Sequence, residues 1–159
     1  MDRGTLIVGS DEFVARWVSE RIPYADDFGP CVAMAGMSGE RMVAGFVYND
    51  YQERFGTIQL SMAAISPLWA KREIMHGVLA YAFEQLGCFK VWLAIAEGNK
   101  RMRKVTAHIG FNEEALLAHH FGEGNHCVME RMLRPDYDRI FGELNGQEIR
   151  AIDAAASRR

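Results

Sequence analysis

The sequence predicts an α/β (α+β) fold, with a mixed, mostly antiparallel central sheet flanked by helices. Two observations carry this expectation. The first half is a succession of short apolar runs with hairpin punctuation, and the second half alternates helical and strand-like periodicity before closing on a hairpin. The 159 residues, 49% hydrophobic and 25% charged, suffice for one core and are too few for two ordinary domains. A single domain over residues 1–134 is therefore expected, followed by a partly helical tail over 135–159 that carries apolar Tyr137, Ile140, Phe141 and Leu144.

Each element has a local cause. Ser10-Asp11-Glu12 ahead of Phe13, Val14, Trp17, Val18 and Ile22 supplies an N-cap, acidic first-turn residues and apolar spacing of three and four, a helix that Pro23 ends. Cys31–Met37 and Arg41–Tyr48 flank Ser38-Gly39-Glu40 as a hairpin, and Thr57–Ile65 is a third strand after a polar connection over 49–56. Pro67 suits a first helical turn, and Ile74, Val78, Leu79, Phe83 and Leu86 mark one stripe of a long helix that Gly87 closes. Lys90–Ala96 reads as a strand, Asn99–His108 as a basic helix stopped by Gly110, and Leu116–Phe121 with His126–Leu133 as the closing hairpin.

Composition excludes several classes. No apolar run reaches the length of a membrane span, and Met1-Asp2-Arg3-Gly4 opens without an apolar leader. Cys31, Cys88 and Cys127 are odd in number and widely spaced, which points away from a disulfide framework or zinc site and toward a reducing cytoplasm. A net charge of −3 argues against broad nucleic-acid binding, although Lys100, Arg101, Arg103 and Lys104 form a local basic cluster.

Ile65-Ser66-Pro67-Leu68-Trp69, then Ala80-Tyr81-Ala82-Phe83-Glu84-Gln85-Leu86-Gly87, then Asn99, then Ile109-Gly110-Phe111-Asn112-Glu113-Glu114 occur in a telling order and spacing. With them the stretch from Thr57 to Leu133 resembles the GNAT acetyltransferases, especially the branch acting on protein N-termini and antibiotics and its bacteriophage relatives. The resemblance implies acetyl-CoA as cofactor and a small-molecule or protein amine as acceptor. It places the pantetheine arm against Ala63, Ala64 and Ile65, the phosphates at the helix start over Lys71, Arg72, Glu73, Ile74 and Met75, and Asn99 and Arg103 beside the cofactor. A helix start suits this role because its first N–H groups are free to bind an anion.

The chain departs from the family pattern at its chemical positions. The family's loop positions, Gln or Arg followed by two small residues, fall on Ala70, Glu73 and Met75, and none matches. The family's strand glutamate falls on Gln59 and its tyrosine on Thr106. Gln59 and Ser61 share a strand face, so together they can hold a water that relays a proton. Tyr48, Asn49, and His119 and His120 on the closing hairpin are further polar candidates, and because adjacent strand residues face opposite ways at most one of the two histidines points into a cleft. Asn99 reads equally as an N-cap. Three functions follow: an N-acyltransferase moving acetyl from acetyl-CoA to an amine, a binding or structural protein that keeps the architecture without the chemistry, and a nucleic-acid modifying enzyme on the same fold. No metal site is expected.

Overall fold

The computed structural model describes residues 4–25, 27–66 and 69–143. In chain order these form β1 (Thr5–Val8), α1 (Asp11–Ser19), β2 (Val32–Ser38), β3 (Arg41–Gln52), β4 (Thr57–Ala64), α2 (Arg72–Ala80), β5 (Lys90–Ala96), α3 (Lys100–Ile109), β6 (Asn112–Leu117) and β7 (Cys127–Leu133). A helix α4 follows over residues 134–143. The strands make one seven-stranded sheet in the order β1-β2-β3-β4-β5-β7-β6. Every neighbouring pair is antiparallel except β4 and β5. The mixed, mostly antiparallel sheet flanked by helices is thus found as the sequence predicts.

Several boundaries differ from expectation. β1, a four-residue edge strand, is absent from the sequence reading because Thr5-Leu6-Ile7-Val8 is too short to show a period. α1 stops at Ser19 and not at Pro23, and the N–H groups of Arg21 and Ile22 both turn back to the Val18 carbonyl. β3 runs on to Gln52 past an irregularity between Asn49 and Gln52, where Asp50 takes a positive φ of 50°. The long helix begins at Arg72; Pro67, its expected start, lies outside the described residues. Its last turn, Tyr81–Gln85, widens so that the Leu86 N–H reaches the Tyr81 carbonyl at 3.0 Å. β6 ends at Leu117, so His119 and His120 sit in the turn that follows rather than on a strand.

The two sheet faces bury different partners. On one, α1 lays Val14 and Val18 on Ala33, Ala35, Val47 and Ala63. Gly45 permits that approach, since a Cβ there would stand 2.5 Å from Val18 Cγ2. On the other, α2, α3 and α4 cover Phe46, Tyr48, Leu60, Met62, Val91, Leu93 and Met132. Within α4, Tyr137 stacks on Phe83 at 4.7 Å, and Phe141 joins the same core. Arg134 fixes the start of the helix by donating to the Phe83 carbonyl at 2.6 Å. Residues 134–143 therefore complete the domain's core, and the rest of the expected tail lies outside the described residues.

Candidate active site

The site follows from one backbone feature. β4 and β5 pair over three positions only, Thr57 with Lys90, Ile58 with Val91 and Gln59 with Trp92. β4 then continues to Ala64 on β3, and β5 to Ala96 on β7, with no ladder between them. Alternation decides which groups face the gap. The Ile65 N–H donates to the Val43 carbonyl at 2.9 Å, so in this register the backbones of Gln59, Ser61, Ala63 and Ile65 point to β3. Those of Leu60, Met62 and Ala64 point into the gap. The same reasoning from the Glu97 N–H on the His126 carbonyl (3.0 Å) turns Ala94 and Ala96 toward the gap from the other side. A slot of about 40 Å³ lies between the strands, lined by Leu60, Ser61, Met62, Leu93–Ala96, Asn99 and Met102, with Ile22 and Pro23 above it.

The expected residues distribute unevenly around this slot. Ser61 and Asn99 line it. Gln59 stands at its vertex, in register with Asn49 and Trp92. Ala64 offers its backbone. Ala63 and Ile65 do not, because their backbones serve β3; the Ala63 side chain is buried under α1 and Ile65 is exposed. Asn99 caps α3, its Oδ1 accepting the Met102 N–H at 3.3 Å, so its amide nitrogen remains available.

At the start of α2, Lys71 is the N-cap residue and its side chain does not cap the helix. The N–H groups of Arg72, Glu73 and Ile74 have no intrahelical partner there. The Met75 N–H is already taken by the Lys71 carbonyl at 3.0 Å, and the Met75 and Ile74 side chains are buried in the core. Arg72 does not face the slot, for its guanidinium donates to the Ile140 carbonyl of α4. Glu73 is exposed.

Arg103 is likewise committed within the protein. It pairs with Glu113 at 2.7 Å and donates to the Glu97 carbonyl at 3.0 Å, and the Glu113 bond together with that carboxylate's charge pushes its pKa further up. Thr106 is fully buried and its hydroxyl bonds to the Met102 and Arg103 carbonyls at 3.1 Å, so it does not reach the slot. Tyr48 is buried and donates to the Val78 carbonyl at 2.8 Å; burial raises its pKa well above the ordinary value, a structural role. His119 and His120 are both exposed in the turn. Among the described residues no titratable side chain lines the slot.

Sequence reasoning missed Leu60, Met62, Ala94 and Ala96, whose contribution is backbone direction, a property only strand pairing defines. It also missed Ile22 and Pro23, read there only as a helix end.

By sequence, no family model matches the chain, and no curated protein matches it either. By structure, it is similar to the spermidine N-acetyltransferase of Vibrio cholerae solved with CoA and spermine, at 14% identity and a TM-score of 0.68, covering 84% of this chain and 97% of that one. The dodecameric form of that Vibrio cholerae enzyme gives 15% identity and a TM-score of 0.67, covering 84% and 95%. The fold is that of the GNAT acetyltransferases. Among the described residues no helix is long and apolar enough to cross a membrane, and no His, Cys, Asp and Glu group is placed to hold a metal ion.

Proposed function

We propose that the chain is an acyl-CoA-dependent N-acyltransferase that moves an acetyl group from acetyl-CoA to an amine. The observation that carries this reading is the splay of two parallel strands that leaves backbone donors and acceptors of Leu60, Met62, Ala64 and Ala94, and the N–H of Ala96, without strand partners, the Ala96 carbonyl being taken by the Asn99 N–H at 2.9 Å. Leu60 and Met62 are buried, and buried backbone groups demand partners. An extended chain bearing amides, such as pantetheine, matches them as a further strand would. The start of α2 suits phosphate. The backbone groups present therefore fit coenzyme A in chemistry, and its entry requires the slot of about 40 Å³, about one water's share, to widen.

When bound, acetyl-CoA supplies the activated thioester. The protein's own part is positional. Leu60 and Ala94 flank the vertex where β4 and β5 part, and Gln59 and Ser61 present neutral polar groups on the α1 side of that vertex. Ser61 can orient a water to carry away the amine proton. With no titratable group lining the slot among the described residues, the amine is expected to react in its neutral form.

Calorimetric titration of acetyl-CoA, followed by thiol release with simple amines, tests the reading. Absence of binding would favour the alternative of a binding or structural protein, which the departures at Ala70, Glu73, Met75, Gln59 and Thr106 support. Salt-sensitive binding of DNA or RNA without any response to acetyl-CoA would favour the nucleic-acid reading.

A further inference from the structure

An open cavity of about 710 Å³ adjoins the slot and shares Pro23, Ala96 and Asn99 with it. Donors dominate its wall: Arg21 from the turn after α1, Lys100 and Arg103 from the first turn of α3, and His126. His126 Nδ1 accepts the His119 N–H at 2.9 Å, so in the neutral ring Nε2 carries the proton and is a donor. Among the described residues one acid, Glu97, shares the wall.

The charges do not all cancel. Glu113 balances Arg103 at 2.7 Å. Arg21 lies over the Trp17 ring at 3.8 Å with Glu20 3.8 Å away, a loose pair. Lys100 has no carboxylate partner among the described residues. The first turn of α3 holds no acid, yet Lys100, Arg101 and Arg103 stand where the helix dipole is already positive, a placement that costs stability unless an anion is present.

We propose that this cavity receives the acceptor and selects amines that carry an oxyanion, a carboxylate or phosphate, over polyamines. The inference rests on the acyltransfer reading above. The acceptor's anionic group lies toward Lys100 and Arg21, and its nitrogen points past Asn99 into the slot. There the nitrogen forms the new C–N bond as the thioester C–S bond breaks; the amine gives up one proton and the departing sulfur takes one up. A polyamine would meet the unpaired Lys100 and the loosely paired Arg21 on this wall, the reverse of the complement it needs.

The test uses the full chain at one ionic strength with O-phosphoethanolamine, glutamate, ethanolamine and spermidine as acceptors, thiol release as readout, and acetyl-CoA binding measured separately. O-phosphoethanolamine and glutamate are expected to exceed ethanolamine in kcat/KM by roughly tenfold, with spermidine slowest. Lys100→Glu should raise KM for the two anionic amines by roughly tenfold and leave ethanolamine unchanged. Arg54→Glu, the same charge change at the opposite end of β4, should leave all four unchanged. The better of O-phosphoethanolamine and glutamate identifies phosphate or carboxylate as the recognised group. Spermidine as the best acceptor, or an equal effect of Lys100→Glu on ethanolamine and the anionic amines, would overturn the inference. Acetyl-CoA binding without thiol release favouring anionic amines overturns the inference alone, whereas no acetyl-CoA binding overturns the acyltransfer reading and this inference with it.

Discussion

Asn99 is where helix capping and cofactor contact can be separated by substitution. Its Oδ1 caps α3 through the Met102 N–H, and at 3.3 Å the bond is long. Asn99→Ala should therefore cost about 0.5–1 kcal/mol, the lower part of the capping range, and lower Tm by roughly 1–4 °C in a chain of this size. Asn99→Asp keeps the accepting oxygen and adds a negative charge at the start of α3, worth about 0.3–1 kcal/mol with the dipole. Its Tm should equal or exceed the native value. Both variants lose the Nδ2 donor on the slot wall. If that donor meets a pantetheine carbonyl, both should bind acetyl-CoA about fivefold more weakly, the scale of one neutral hydrogen bond. Thermal unfolding and calorimetry on the three proteins decide the matter. Native affinity in Asn99→Asp would reduce Asn99 to a cap, and an equal loss of Tm in both variants would refute the capping argument.

Ala94→Phe should abolish acetyl-CoA binding by filling a slot of about 40 Å³, with the circular dichroism spectrum unchanged; retained binding would place the cofactor elsewhere. Gly45→Ala should destabilise by about 1–3 kcal/mol in urea, because the new Cβ meets Val18 at 2.5 Å and Trp17 and Met42 at 3.2 Å. Burial, with Glu113 adding to it and Thr106 and Arg103 opposing, raises the Glu130 carboxyl above its ordinary value. The native state then holds that proton more tightly, so stability falls as pH rises from the usual carboxylate range through the raised native value. Glu130→Gln should accordingly gain on the native protein as pH rises, with no gain below about pH 4, and a gain confined to acid would reverse the sign. Finally, kcat/KM should climb with pH up to the pKa of the acceptor amine and move with that amine; an inflection that stays fixed across amines would reveal an enzymic base.

The sheet was legible because its causes are local. Apolar runs, the Ser38-Gly39-Glu40 turn and the stripe from Ile74 to Leu86 each act over a few residues. β1 was not legible, since four residues on one edge, of which only Leu6 packs on the core, carry no period. The slot itself lies between readable and hidden. That β4 and β5 are parallel neighbours follows from an intervening helix, but their separation after Gln59 is a tertiary fact. Parity of backbone direction is equally invisible in a sequence, which is why Ala63 and Ile65 were expected where Leu60 and Met62 stand. Arg72 and Arg103 looked like free cations for a similar reason: their partners, the Ile140 carbonyl and Glu113, lie on elements whose placement no local pattern gives.

If the chain is an acyltransferase, backbone geometry explains how it could bind without the usual motifs. A splayed strand pair presents backbone groups whatever side chains it carries, so Ala, Met and Leu serve there as well as any residues. The N–H groups at the start of α2 are also independent of side-chain identity, although a glycine admits an anion more closely than Glu73 does. Proton transfer has no backbone substitute. On the acyltransfer reading, with Gln59 in place of a carboxylate and Thr106 bonded into α3, neither position supplies a side chain that takes the amine proton. Its rate must then depend on how often the acceptor arrives deprotonated. An anionic group held against Lys100 leaves that fraction almost untouched, because it acts on position and not on the nitrogen. Selection of the acceptor and the missing base are therefore separate properties, one residing in the cavity wall and the other at the vertex of the slot, and each is open to change without the other.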